Sequence, residues 1–66
     1  MNANNERTKE RLEDLRYRLF MEVESAKLDL QQPGKTDLIY NYYENIIRDN
    51  TNDIAVLDLL IEQLGD

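Results

Sequence analysis

The chain contains no cysteine and no histidine. Disulfides and the common zinc sites are therefore excluded, as is the usual base of a serine nucleophile. Ser25 is in any case the single serine. Glycine occurs twice and proline once. No glycine-rich phosphate loop can be built from so few, and there are few points where a helix must stop. No apolar run approaches membrane-spanning length. Residues 1–7 are polar, with no apolar stretch behind them, so no signal peptide is expected. The lack of cysteine suits a reducing compartment, and a cytoplasmic protein is expected.

What is present is charge, and it is unevenly placed. The chain has 66 residues and a net charge of −6. Residues 1–20 hold five basic and four acidic side chains, whereas residues 21–66 hold three basic and ten acidic. Phosphate binding needs clustered Lys and Arg, so nucleic acid is a poor first partner. A chain this short forms one domain with a small core. Without disulfides or metal, oligomerisation or very good helix packing has to supply the missing stability.

Pro33-Gly34 stands at the midpoint, with thirty-two residues on either side. Residues 1–5 are small and polar and are expected to be disordered. From about residue 6 to 31, Leu12, Leu15, Leu19, Val23, Ala26 and Leu30 recur every three or four positions, which predicts a helix with a narrow apolar stripe. Residues 32–36 form a turn: Pro33 cannot continue the helix and Gly34 tolerates left-handed backbone. Thr36 or Asp37 then caps a second helix over about 37–49. Asn50-Thr51-Asn52-Asp53 are weak helix formers and good caps. They predict a kink or break near 50–53, before a helix over about 53–64. The fold expected is an all-α antiparallel hairpin with this interrupted return arm, dimerising into a helical bundle; the alternative is a compact three-helix bundle. Antiparallel pairing about the midpoint sets residues opposite one another when their numbers total about 67. Leu12 then falls near Ala55, and Arg16 and Arg18 fall near Asp53 and Asp49.

The two arms differ in how much apolar surface they carry. Ile54, Val56, Leu57, Leu59, Leu60, Ile61 and Leu64 cover roughly 220° of the last helix. Tyr17, Met21 and Leu28 form a second seam behind the stripe of the first helix. A two-helix contact cannot bury all of this, and such surplus marks an interface. The candidate protein-binding residues are Tyr17, Met21, Leu28, Tyr43, Ile47, Val56 and Leu60. Of Tyr40, Tyr42 and Tyr43, one or two are expected to pack in the hairpin or dimer core with Tyr40 at its edge; a hot spot for another protein is the alternative, and base stacking is disfavoured because no basic residues interleave with the rings.

Two chemical constellations fail on inspection. Asp49–Asp53 begins like a calcium loop, but its sixth and twelfth positions are Ile54 and Leu60 where Gly and Glu are required. Carboxylates are numerous but sit where solvated helix faces put charge, and a two-helix unit lacks the cleft that carboxylate catalysis needs. No catalytic, cofactor-binding or metal-binding residues are therefore assigned, and no small-molecule substrate or membrane partner is expected.

Leu57-Asp58-Leu59-Leu60-Ile61 resembles the Leu-Asp-x-Leu-Ile core of the small hairpin phosphatases that act on sporulation response regulators. Ile54-Ala55-Val56 replaces that family's Ser-Gln-Glu-like stretch, and the loop spacing differs, so the activity is not carried over. In length and acidity the chain also looks like plasmid copy-control hairpin dimers, an analogy of architecture alone. The expectation is a small regulatory or adaptor protein that binds another protein through a helix face, with itself as a further partner. One alternative is a nucleic-acid-linked regulator. It would contact RNA through Arg7, Arg11 and Arg18, or mimic DNA through Asp49, Asp53, Asp58, Glu62 and Asp66. The other is a purely structural self-assembling bundle.

Overall fold

Good helix formers run almost without interruption on both sides of the turn, and the computed structural model, which describes residues 3–65, has two long helices and one short connection. Helix α1 spans Ala3–Leu30 and helix α2 spans Asp37–Leu64, 28 residues each. At 1.5 Å per residue each is about 42 Å long. They lie antiparallel as a rod with Cα extents of 51 × 14 × 12 Å. The radius of gyration is 15.2 Å, against about 11 Å for a compact chain of this length. No strand occurs among the described residues. No helix among them is long and apolar enough to cross a membrane.

The turn is built as its residues require. Gln31 and Gln32 donate backbone N–H groups to the carbonyls of Leu28 and Asp29, both at 3.1 Å, which tightens the end of α1. Gly34 has φ +84°, the left-handed region that a side chain disfavours. Thr36, rather than Asp37, is the N-cap of α2: its hydroxyl oxygen accepts from the Ile39 N–H at 3.3 Å.

Two features differ from the sequence expectation. Ala3, Asn4 and Asn5 are helical, so α1 starts ahead of residue 6; the rest of the expected disordered tail, residues 1 and 2, lies outside the described residues. The second arm is a single helix, unbroken through residues 50–53, which also removes the third helix of the bundle alternative. The reason is tertiary. Asn50 is buried, and its side-chain amide donates to the Leu19 carbonyl of α1 at 3.4 Å. Ile47, Ile54 and Leu57 on either side pack toward α1, and packing of this kind outweighs a few tenths of a kcal/mol of poor propensity per residue.

The seam between the helices follows a heptad rhythm. Buried and half-buried positions alternate at spacings of four and three: Leu12, Arg16, Leu19, Val23, Ala26 and Leu30 in α1, and Tyr43, Ile47, Asn50, Ile54, Leu57, Ile61 and Leu64 in α2. Leu15, expected in the core stripe, is 44 % exposed at the rim. Arg16 takes the seam position instead, because its aliphatic stem can line the contact while its guanidinium reaches outward. That guanidinium donates across the interface to Asp58, not to Asp53. Arg18 pairs within its own helix with Asp14 at 2.9 Å, not with Asp49.

The register is displaced in one direction. Partners across the seam total 69 for Leu19 with Asn50, 72 for Asp29 with Tyr43 and 74 for Arg16 with Asp58, against the expected 67. Side chains lean toward the N-terminus of their own helix. In an antiparallel pair both leans raise the residue numbers that meet, and longer side chains raise them more. The smallest total is the one in which a backbone carbonyl is one of the partners.

The core is consequently slender. Val23, Ala26 and Leu57 are its buried apolar side chains among the described residues. Leu57→Ala should cost about 2–5 kcal/mol, enough to remove most of the stability of so small a fold. Leu59→Ala, at a position 61 % exposed, should stay within about 0.5 kcal/mol. Urea unfolding followed by circular dichroism at low protein concentration compares the two; equal losses would refute this assignment of the core.

Candidate functional site

A seam that uses two positions in seven leaves the remaining apolar side chains outside. Twelve large apolar residues are exposed among those described, so the candidate site is a matter of where they gather. The seven candidates from the sequence separate into three places.

Tyr43 and Ile47 are half-buried at the interhelical seam. They are used inside the hairpin and are not an outward surface. Tyr43 is also tied to the turn. The Lys35 ammonium lies 5.9 Å from its ring centre, and Tyr42 meets it edge to face at 5.4 Å. Its hydroxyl donates to the Asp29 carboxylate, and this bond, followed by the Asp29 charge, raises the Tyr43 pKa above 10.0. The cluster joins the last turn of α1 to the second turn of α2.

Val56 and Leu60 lie along one flank of α2. Val56 joins Leu15, Leu19, Asp53 and Leu57 in lining an open groove of about 280 Å³ between the helices. The groove runs toward the open end of the hairpin. Leu15, displaced from the core, is its wall on α1. Asp53 is its one charged residue. Helical spacing continues this flank of α2 toward the turn through Ile46, Tyr42 and Ile39.

Tyr17, Met21 and Leu28 are exposed on the back of α1, with Leu28 at 62 %. Phe20 accompanies them and was not among the sequence candidates. Its signal was available: it stands three residues after Tyr17, which places it on the same side of the helix. It is masked in the sequence by Leu19, whose stripe position draws the pair into the core reading. The groove flank and the back of α1 are two separate faces of the rod.

Three of the charged candidates, Arg18, Asp49 and Asp58, form ion pairs. Along α1, Lys9 lies 4.0 Å from Glu13 and Arg18 bonds Asp14, so acids interrupt the basic residues. On α2, Asp49 pairs with Arg48 at 3.3 Å and Asp58 with Arg16. Asp66 lies outside the described residues. Lys9 also lies 3.9 Å from where a Cβ on Gly65 would stand, and so brings positive charge to the C-terminal end of α2, whose own last turn has no base. Among the described residues no three carboxylates gather as a potential metal site.

No protein-family model, curated protein or solved structure matches the chain.

The Tyr43–Asp29 contact carries a pH dependence. Because the folded pKa is raised, the hairpin stabilises the protonated phenol. That contribution is complete below the unfolded value near 10 and is lost as pH rises through the folded value. Asp29→Asn should bring the Tyr43 titration back toward 10, read by tyrosinate absorbance with Tyr43→Phe to assign the component. An unchanged titration in Asp29→Asn would exclude Asp29 as the cause.

Proposed function

We propose that this hairpin is a small regulatory or adaptor protein of the cytoplasm that works by docking its helix faces onto protein, and that it carries no catalytic step of its own. One observation carries the reading. Three apolar side chains are buried and twelve large ones are exposed among the described residues, an imbalance that a chain of this size cannot sustain unpartnered at ordinary stability. Each such side chain contributes roughly 1.5–3 kcal/mol when fully covered. Nine of the twelve exposed residues fall on the two faces described above, and each face has helical spacing, the form in which an amphipathic helix is recognised.

The two faces have different chemistry. The groove flank of α2 is mainly aliphatic, with Tyr42 toward the turn and acidic residues beside it, whereas the back of α1 presents Tyr17, Phe20, Met21 and Leu28. Aromatic and Met side chains are adaptable anchors and suit a partner surface that varies.

The test is binding by purified chain carrying either Val56→Asp with Leu60→Asp, or Met21→Asp with Leu28→Asp. All four sites are exposed, so helicity should be preserved and can be verified by circular dichroism. At least one pair should weaken capture of a protein partner, or of the chain itself, by about 30-fold or more. Unchanged binding by both variants, with the wild-type chain monomeric at millimolar concentration, would overturn the reading.

A further inference from the structure

We propose that the groove face of Leu15, Val56 and Leu60 is covered by a second copy of this chain, the two hairpins lying face to face with both turns at the same end of the bundle. The inference rests on the reading above that the exposed apolar faces are docking surfaces, and it names the occupant of one of them.

Area points to a partner of ordinary size. A folded monomer of 7.8 kDa exposes about 4,400 Å², whereas this chain exposes 5180 Å². The excess, about 800 Å², is what one partner contributes to a standard interface. A 66-residue chain without disulfides gains that cover most simply from its own kind.

Charge chooses the arrangement. Helix α2 carries six acidic side chains and one basic, and α1 carries seven acidic and six basic. Two copies related by a two-fold axis can meet on this face in two ways. With the turns at opposite ends, α2 lies on the partner's α2 and the acidic helices face each other. The midpoints, between residues 16 and 17 of α1 and 50 and 51 of α2, then coincide, which sets Arg16 and Arg18 within about a turn of their own copies, and Asp49 and Asp53 likewise. With the turns at the same end, α2 lies on the partner's nearly neutral α1.

Heights along the rod then agree as well. Leu19 and Asp53 line the same groove, so Arg18, the neighbour of Leu19, stands at the height of Asp53. The axis therefore carries Arg18 of each copy to Asp53 of the other. Arg18 is exposed, and its pairing with Asp14 is an exposed i, i+4 contact of little strength, so it is able to turn. Asp53 has no ion pair or hydrogen bond in the single hairpin. The grooves superpose, with Leu15 of each copy against Val56 of the other. Every neighbouring helix pair in the resulting four-helix bundle is antiparallel. The back of α1 stays free.

The absence of cysteine makes the test direct. Gln32→Cys in the exposed turn gives one site for a spin label in the full chain. Turns at the same end put two labels within roughly 20 Å, since packed helices are about 10 Å apart. Turns at opposite ends put them near the rod length of 51 Å. Independently, Arg18→Glu and Asp53→Arg should each weaken the dimer about tenfold by sedimentation. Mixing the two variants restores both cross-pairs and should recover wild-type affinity. A short distance with recovery on mixing supports the proposal. A dimer with labels about 50 Å apart, or one insensitive to the charge exchange, overturns the arrangement but leaves docking by helix faces standing. A helical chain that stays monomeric at millimolar concentration overturns the second copy as occupant, and the capture experiment then decides the broader reading alone.

Discussion

Two helices in contact share one seam, and everything else about this protein follows from that limit. A helix presents seven positions in two turns, and a single antiparallel neighbour covers about two of them. In α1 and α2 those positions hold enough apolar surface to define a register, but three residues are all that become buried apolar core among those described. A third layer would have covered Val56, Leu60 and Leu15. The described residues supply none, so Leu15 and Val56 line an open groove and Leu60 stays exposed.

Polar groups inside the seam give the pairing its specificity. Asn50 reaches the Leu19 carbonyl, and Arg16 reaches Asp58 from a position where an apolar residue would fit. A polar residue at such a site contributes less stability than Leu, yet it penalises a slipped register that would leave it buried without a partner. At the turn, Asp29, Lys35, Tyr42 and Tyr43 hold the two arms together by a hydrogen bond and ring contacts. At the open end, Lys9 stands beside the last carbonyls of α2. The rod is therefore fixed at the turn and in the middle by polar contacts, and most of its apolar residues are divided between a thin core and two outer faces.

That division explains why the exposed faces differ in kind. Residues on the groove flank, such as Val56 and Leu60, adjoin the seam, so any partner that covers them extends the same core. The back of α1 is separated from the seam by charged side chains, and a partner there meets Tyr17, Phe20, Met21 and Leu28 as an isolated patch. One face suits bundle completion and the other suits recognition of a separate protein.

By itself, the sequence determined the helices, the turn at Pro33-Gly34 and the cap by a residue at 36 or 37, because these depend on local propensity and backbone sterics. It also determined the surplus: the wide apolar arc of 54–64 and the second seam of Tyr17, Met21 and Leu28 are matters of composition and period. Only the tertiary structure decided continuity, register and place. Asn50–Asp53 reads as a break until Asn50 is seen to satisfy its amide on the other helix. Arg16 reads as surface until its stem fills a seam position and displaces Leu15. Tyr43 and Ile47 read as part of the broad apolar face of the return arm until the pairing of the helices sets them in the seam. Each of these turns on which side chains meet across the seam, and that depends on the lean of side chains along their helices, a geometric displacement that leaves no mark in hydrophobic spacing.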